Sequence, residues 1–530
     1  MHIFMRLQRH CVEKGKTMSE SRTKKSAINI TFTFGARIIT LILGFVSRMI
    51  FLRFLSVEYL GINGLFTNVL TMLSFAELGI GNAIQFGLYK PLKEHNIEKI
   101  KSLMCFYKKA YRIIALFVAV VGIALLPALD FIIESKPDIP ESLSVIYCLF
   151  ILNSASSYLF SYKQTLLHAD QNAYIVSIGN SVAAIVQNVV HIVILYTTGN
   201  YLVYLISTIS FTIITNAAIA IYVNKKYPYL TEKNINKLER NEFGRIVTDV
   251  KALSISKVAG IACNGTDNII ITKIIGLSSV GYASNYTLII NTMSGMLYAM
   301  LSSITGSIGN LNAEKDTSKR EGVYNQILML SYLVYSCICT CIIVLINQFI
   351  GEVWLSEEYV VGMVTTVSLV LIAFQSGMNF TAYNFRTTLG YFDEVKYVYV
   401  ATAVVNILLS ILLGKFIGLS GVFFATTISK LITSEIADGY YSYKKGLNKD
   451  PKIYYVKLLG YYFLFGANTA ICYFMINAIS LNGIVAFLVK GTMCFVLTNL
   501  INVIVVFRTD SFRELVKKIK LILHRKRVKM

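Results

Sequence analysis

The 530-residue sequence has few charged residues, and acidic residues are the scarcer kind. Only 15% of the residues are charged, 55% are hydrophobic and the mean hydropathy is +0.60. A soluble domain of this length would not contain many separate runs of about 20 apolar residues, the length that spans the hydrocarbon core of a bilayer. The runs are continuous rather than alternating, so they predict membrane-spanning helices and not a barrel.

The sequence also lacks the patterns of several kinds of active site. Its nine cysteines show no spacing typical of a metal site or a disulfide framework, so we expect them to be packing residues. No Gly-rich phosphate-binding loop and no nucleophile–base arrangement is visible, which argues against a primary pump. A membrane enzyme such as a glycan polymerase would need a sizeable outer loop or a catalytic His/carboxylate group. We therefore expect no enzyme activity, no metal and no cofactor.

Fourteen apolar segments are long enough to span a bilayer, which predicts an all-α polytopic membrane protein. The segments are 27–55, 60–89, 110–133, 143–163, 173–196, 201–223, 250–275, 281–305, 324–350, 361–384, 397–417, 419–441, 457–479 and 482–507. The first run is too long for a signal peptide and has no cleavage site. Met18 is an alternative start.

Lysine and arginine are distributed very unevenly between the two sets of loops. With a cytoplasmic N-terminus, 41 of the 50 Lys and Arg residues fall in cytoplasmic segments, and only Lys136 falls in the opposite loops. Cytoplasmic loops of membrane proteins are enriched in these residues, so both termini are predicted to be cytoplasmic. The same distribution explains the net charge of +21 as topology, and we expect no nucleic-acid partner.

Both ends of the chain are basic. Residues 1–26 form the predicted N-terminal tail and 508–530 the predicted C-terminal tail, both cytoplasmic. From Ser511 onward the C-terminal tail has the pattern of an amphipathic helix that lies on the lipid surface.

The sequence resembles itself at an offset of about 220 residues. At +220, Gly61 meets Gly281 and Phe66 meets Tyr286, and further matches occur at +219 and +223. We interpret 27–223 and 250–441 as two six-helix copies joined by the cytoplasmic linker 224–249. Because six is even, the copies insert the same way up, an arrangement that recurs in transporters with the substrate near mid-membrane between the copies. The helix pair 457–507 lies outside the repeat.

Charged side chains inside the spans are candidates for function, because an ionisable group at membrane depth is costly. Arg37 and Arg48 are 11 residues apart, about 20° from a whole number of helical turns, so they share a face. Lys257 is the repeat mate of Arg37, and we expect Arg37 to pair with Glu77 or to face one polar cavity with it. The proposed site for an anionic headgroup comprises Arg37, Arg48, Lys257 and Lys430. The candidates for a charge partner or a coupling-ion ligand are Glu77, Asp267, Glu435 and Asp438.

The first two spans resemble those of a known transporter family. The matching residues are Phe45-Val46-Ser47-Arg48, Arg53-Phe54-Leu55, Glu58-Tyr59-Leu60-Gly61, Leu65-Phe66 and Glu77-Leu78-Gly79-Ile80-Gly81. They resemble the polysaccharide-transporter branch of the multidrug/oligosaccharidyl-lipid/polysaccharide exporter superfamily, the O-antigen and capsule repeat-unit flippases of bacteria. The fourteen spans and the repeat are similar to that family too.

The resemblance implies a fold, a location and a cargo. It implies two bundles that open alternately to each side of the bacterial inner membrane, with a basic central cavity. The implied cargo is an oligosaccharide on polyprenyl pyrophosphate, moved to the outer leaflet for surface polysaccharide synthesis. The implied partners are this lipid-linked oligosaccharide, membrane lipids and glycan assembly enzymes. In related lipid II flippases an acidic residue follows the first-helix arginine, and Met49 stands there instead.

A second function is compatible with the same superfamily. A multidrug or small-molecule efflux transporter would also have this organisation. Cationic drugs favour an acidic cavity, whereas the charged residues inside these spans are mainly basic. Efflux would therefore require an anionic or zwitterionic cargo.

Overall fold

The computed structural model describes residues 39–77, 80–133, 137–170, 172–232, 244, 265–313, 317–479 and 483–517. Within these ranges the chain forms helices and turns but no strand, which confirms the all-α fold class. In chain order the helices are α1 (39–54), α2 (Val57–Leu73), α3 (Ile80–Lys93), α4 (Ile97–Ala124), α5 (Leu126–Ile132), α6 (Leu143–Ser161), α7 (Gln164–Ala169), α8 (Ala173–Thr198), α9 (Tyr201–Lys226), α10 (Asp267–Ile274), α11 (Leu277–Ser302), α12 (Thr305–Ala313), α13 (Thr317–Gln348), α14 (Met363–Thr388), α15 (Lys396–Ile432), α16 (Ser434–Tyr440), α17 (Pro451–Asn477), α18 (Gly483–Val506) and α19 (510–517).

The described residues form a multi-pass membrane protein. They include eight helical stretches that are long and apolar enough to cross a bilayer, or nine if α4 and α5, bent by 53°, form one span. One of these stretches, Lys396–Gly446, covers two of the spans predicted from the sequence. The predicted span 60–89 differs from expectation, because α2 ends in the 3₁₀ turn Ser74–Glu77 before α3 begins.

The chain divides into two compact units. The first lies within Met1–Leu55, Ile80–Leu116 and Leu152–Ile246, and the second within Ser56–Gly79, Phe117–Ile151 and Val247–Met530. The bundle boundaries expected from the repeat, 27–223 and 250–441, stay predictions.

In the first unit, α8 and α9 are joined by a short turn formed by Gly199 and Asn200. Gly199 ends α8 with a φ of 56°, a left-handed conformation that glycine adopts without steric cost. The side chain of Asn200 then caps α9 by accepting the backbone N–H of Leu202 at 2.8 Å. Near this turn, Phe51 of α1 packs edge-on against Tyr201 and Tyr204 of α9, with ring centroids 6.2 and 5.4 Å away.

In the second unit, α15 is a helical hairpin rather than one straight helix. Ile417 and Gly418 have non-helical backbone angles, and Gly418 has a φ of 61°. Asn406 donates to Thr426 at 3.0 Å, and the hydroxyls of Thr402 and Thr433 lie 2.7 Å apart. The residue further before the turn contacts the residue further after it, so the two arms run antiparallel. The arms correspond to the predicted spans 397–417 and 419–441.

The C-terminal pair α17 and α18 packs on α13 through buried polar groups. The Oδ1 atom of Asn502 accepts hydrogen bonds from Tyr332 at 3.0 Å, Ser336 at 3.3 Å and Asn468 at 2.9 Å. Cys472 and Cys494 lie in the apolar core of the same interface, consistent with their expected packing role. Such interhelical hydrogen bonds and small residues hold membrane helices together.

The beginning of the C-terminal tail is also attached to α13. Gln326 donates from Nε2 to Oε2 of Glu514 at 2.5 Å. The remainder of the predicted surface helix, 518–530, lies outside the described residues.

Candidate functional site

A cluster of charged residues lies where α15 packs against α10, α14 and α16 in the second unit. The cluster comprises Asp267 of α10, Arg386 of α14, Lys430 of α15, and Glu435 and Asp438 of α16. Burying a charge costs free energy unless it is paired and hydrogen-bonded. Arg386, Glu435 and Asp438 are buried, whereas Asp267 and Lys430 are partly exposed. The three buried charges therefore need partners within the protein.

Asp438 is paired at both of its oxygens. Arg386 donates from Nε to Oδ1 at 2.7 Å, and Asn379 donates to Oδ2 at 2.9 Å. The Tyr399 hydroxyl donates to Oδ2 at 3.1 Å. Arg386, only 2% exposed, also donates from Nη1 to the carbonyl of Tyr391 at 2.5 Å. Both oxygens of Asp438 are thus paired, as in the buried polar networks that fix the packing of helices.

Glu435 and Asp267 are each paired at one oxygen only. Gln375 donates to Oε2 of Glu435 at 3.1 Å, and Thr426 donates to Oδ2 of Asp267 at 3.2 Å. Among the residues that the structure describes, Oε1 of Glu435 and Oδ1 of Asp267 are buried and accept no hydrogen bond. The charge of Lys430 acts on both carboxylates. Each acid thus retains an oxygen that can take a proton or a small cation.

The backbone is irregular at the centre of this cluster. Thr433 separates α15 from α16 with φ −125° and ψ −86°, so the helix breaks between Lys430 and Glu435. The Thr433 hydroxyl donates to the carbonyl of Ser429, which satisfies one of the groups that the break leaves unpaired. Non-helical backbone within a membrane protein is tolerated where it is buried in protein or lines a cavity. The break is therefore consistent with a site for a small ligand.

In the first unit, Arg48 lies on α1 beside an aromatic group of α9. Its guanidinium interacts electrostatically with Tyr204, and its side chain is partly exposed. The Tyr204 ring also contacts His191, with centroids 4.0 Å apart, and His191 Nε2 lies 3.2 Å from the Thr208 hydroxyl. His191 is thus part of the packing around Tyr204.

The remaining predicted site residues are not brought into the charge cluster. Glu77 lies in the 3₁₀ turn after α2 and is partly exposed. Arg37 and Lys257 lie outside the described residues. The pairing of Arg37 with Glu77 and the role of Lys257 therefore stay predictions.

Arg386 was not among the site residues predicted from the sequence. It was counted with the cytoplasmic loops because it lies just beyond the predicted span 361–384, whereas α14 continues to Thr388. A signal was present, because Arg386 is 11 residues from Gln375 and seven from Asn379. Those spacings place the three polar side chains on one helical face.

The described residues contain no group of three or more His, Cys, Asp or Glu side chains arranged to hold a metal ion.

Comparison with known proteins identifies the fold. No family model matches the sequence, and no curated protein matches it. The solved lipid II flippase MurJ in an inward closed conformation matches with a TM-score of 0.67 and 14% identity, over 92% of this chain and 100% of that one. An inward-facing multidrug resistance MATE transporter of the MOP superfamily matches with a TM-score of 0.63 and 12% identity, over 76% and 94%.

A third structure agrees with these two. A mutant form of the Vibrio cholerae MATE transporter VcmN matches with a TM-score of 0.52 and 13% identity, over 81% of this chain and 98% of that one. At such identities the likeness concerns the fold alone. The chain has the membrane transporter fold that these MATE and MurJ structures share.

Proposed function

We propose that this protein is a flippase that moves polyprenyl-pyrophosphate-linked oligosaccharide repeat units from the inner to the outer leaflet by alternating access. The observation that carries the proposal is Arg48, a partly exposed arginine within a membrane helix and near enough to Tyr204 to interact with it electrostatically. Guanidinium groups bind phosphate oxygens through paired hydrogen bonds, and aromatic rings suit sugars and lipids. With Arg37, Lys257 and Lys430, it would give the cavity a net positive charge.

The length of the structural match supports a flippase over a drug exporter. The MurJ structure aligns with 92% of this chain, whereas the MATE structure with the higher TM-score aligns with 76%. MurJ is described as a lipid II flippase, a protein that moves a lipid. By analogy, we assign this chain a lipid-linked cargo, with the identity of the sugar set by the residues of the cavity.

The charge cluster of the second unit would supply the coupling step of the proposed cycle. Asp267 and Glu435, with one unpaired oxygen each, would bind a proton or Na⁺. Binding would neutralise charge beside Lys430 and change the balance between the two access states, because a ligand shifts a conformational equilibrium through its differential affinity. Asp438, already paired with Arg386, would act as a structural neighbour of that site. Glu77 is a second candidate ligand.

The setting of the proposed activity is the bacterial inner membrane, with both termini in the cytoplasm. The partners are the lipid-linked oligosaccharide, membrane lipids and the enzymes that assemble the surface glycan. The alternative is efflux of small molecules, which is compatible with the fold shared with MATE transporters.

Removal of the gene from its host tests the proposal. We expect polyprenyl-pyrophosphate oligosaccharides to accumulate on the cytoplasmic leaflet while surface glycan is lost, and reintroduction of the gene to reverse both. Unchanged lipid intermediates and glycan, in a host without a redundant flippase, would contradict the proposal. Increased drug sensitivity in that case would favour efflux.

A further inference from the structure

Two glycines allow α2 and α11 to touch through their backbones. A Cβ atom at Gly61 would lie 2.3 Å from the carbonyl oxygen of Leu277. A Cβ atom at Gly281 would lie 2.3 Å from the carbonyl oxygen of Val57. Both distances are far below van der Waals contact, and the obstructing atom is backbone in each case. Only glycine at both positions permits this approach.

The two contacts are copies of one another. Adding 220 to Val57 gives Leu277, and adding 220 to Gly61 gives Gly281. The contact of Gly61 with Leu277 is therefore related to that of Gly281 with Val57 by the offset of the internal repeat. Reciprocal contacts of this kind arise where equivalent surfaces meet across a two-fold axis. The crossing of α2 and α11 thus lies on the axis that would relate the two copies.

Each helix also has its own aromatic anchor one turn beyond the crossing. Phe66 of α2 packs against Tyr147 of α6, with ring centroids 4.9 Å apart. Its repeat mate Tyr286 donates from its hydroxyl to Asn347 of α13 at 2.7 Å. Because Phe66 and Tyr286 contact different neighbouring helices, α2 and α11 can separate at the glycines while both of these contacts remain.

The position of the crossing along the chain indicates which side of the membrane it closes. Val57 lies in the loop between the first two predicted spans, and Leu277 lies in the loop between the seventh and eighth. Gly61 and Gly281 stand at the start of the spans that follow these loops. The Lys and Arg distribution assigns both loops to the outer side. In transporters with parallel repeats the substrate lies between the copies. A backbone contact on their axis at this level would close the substrate path to the outside.

We propose that the crossing of α2 and α11 is the outer gate of the transporter, and that Gly61 and Gly281 set the stability of its closed state. The proposal rests on the proposed transport function. It adds that the gate must open at these residues in every cycle. A fixed structural contact at the same place is the competing interpretation.

A cross-link distinguishes a gate from a fixed contact. A Cβ atom at Gly64 would lie 2.6 Å from Cγ1 of Val280, so Gly64→Cys with Val280→Cys places two thiols within reach of each other. Diamide oxidises the two thiols to one disulfide and takes up their two hydrogens, and dithiothreitol reverses the reaction. We expect oxidation to lower transport of the lipid-linked oligosaccharide by about tenfold or more, and reduction to restore it. Full transport by the cross-linked protein would overturn the proposal.

Two controls accompany the cross-link. Each single-cysteine variant reports the effect of oxidising the nine native cysteines. Thr340→Cys with Thr469→Cys joins α13 to α17, where the hydroxyls lie 2.9 Å apart, and should leave transport unchanged after oxidation.

Glycine substitutions test the gate without relying on transport. Gly281→Ala should hold the crossing open, whereas Gly295→Ala, on the same helix with no atom within 4 Å of its added Cβ, should not. The readout is labelling of Leu65→Cys, a position buried one turn below Gly61, by an impermeant maleimide in whole cells and in inverted vesicles. We expect Gly281→Ala to raise labelling from the outside by about tenfold and Gly295→Ala to leave it unchanged.

Maleimide labelling tests the gate, and transport of the lipid-linked oligosaccharide tests the proposed cargo. If Gly281→Ala does not accumulate in the membrane, Gly61→Ala is measured instead. Unchanged outside labelling in a folded variant would overturn the gate. Raised labelling in a protein that moves no lipid-linked oligosaccharide would retain the gate and reject the cargo.

Discussion

Arg386 and Asp438 form an almost inaccessible ion pair, with Nε of the guanidinium 2.7 Å from Oδ1 of the carboxylate. Additional donors occupy the other oxygen of Asp438, so this pair is complete. Glu435, three residues earlier on α16, retains a buried oxygen that no described residue pairs with. The cluster therefore has a structural half and a half that is available for binding.

Removing one member of the ion pair should destabilise the protein. Asp438→Ala leaves the Arg386 guanidinium buried without its counter-charge, and a loss of about 3–5 kcal/mol is typical of a broken buried pair. Thermal unfolding in detergent would measure the change. The control is Asp393→Ala, which removes a largely exposed partner of Lys396 and should leave the unfolding temperature unchanged. Equal stability of the two variants would contradict the structural role of the pair.

Neutralising the half-paired acids should affect coupling and not folding. Glu435→Gln and Asp267→Asn keep their size and an oxygen that accepts from Gln375 or Thr426. We expect stability within about 1 kcal/mol of the parent protein, and loss of the dependence of transport on a proton or Na⁺ gradient. Transport at a series of pH and Na⁺ values would show it. An unaltered ion dependence in the double variant would remove these residues from the coupling site.

Neutralising the deep basic residues should abolish transport. Arg37→Ala and Lys257→Ala are each expected to lose transport because the pyrophosphate loses a counter-charge, while insertion into the membrane remains intact. Lys415→Ala is the control, since Lys415 lies near a span end and is exposed. Transport assays would measure the loss, and quantification of each variant in the membrane would show whether insertion is intact. Normal transport by both Arg37→Ala and Lys257→Ala would reject the basic cavity.

The contact of the C-terminal pair with α13 should depend on a single side chain. Asn502→Leu leaves the donors of Tyr332, Ser336 and Asn468 without their shared acceptor, at a cost of about 1–3 kcal/mol for an unpaired buried group. Limited proteolysis of the linker before α17, 447–450, should become faster. Thr492→Val, on the exposed face of α18, is the matched control because Thr492 bonds only within its own helix. If both variants are cleaved at the parent rate, the contact does not depend on Asn502.

The sequence was sufficient to predict that the chain is helical and that its helices span a membrane. Hydrophobic run length predicted the all-α polytopic fold, and the turn at Gly418 falls between two spans predicted on either side of it. The interruption of the second span was not predicted, because the apolar run through Ser74 is continuous although the backbone tightens there. Run length reports burial in lipid but not local helix geometry.

The site was predictable only in part. Asp267, Glu435 and Asp438 stand out as charges in apolar segments, and the sequence pointed to each of them. Their partners Thr426 and Tyr399 did not stand out, because threonine and tyrosine are common in membrane helices. Packing of segments that are distant in sequence brings both residues near the acids. Residue spacing shows which side chains share one face of a helix. Which residues of another helix pack against that face depends on tertiary structure.

Translocation by the purified protein tests the central claim most directly. The protein would be reconstituted in vesicles that carry a polyprenyl-pyrophosphate oligosaccharide, and the fraction of the carrier in each leaflet would be followed over time. We predict translocation by the parent protein and its loss in Arg48→Ala. No movement of the carrier by a folded parent protein that exports a small-molecule drug from the same vesicles would contradict the claim and establish efflux instead.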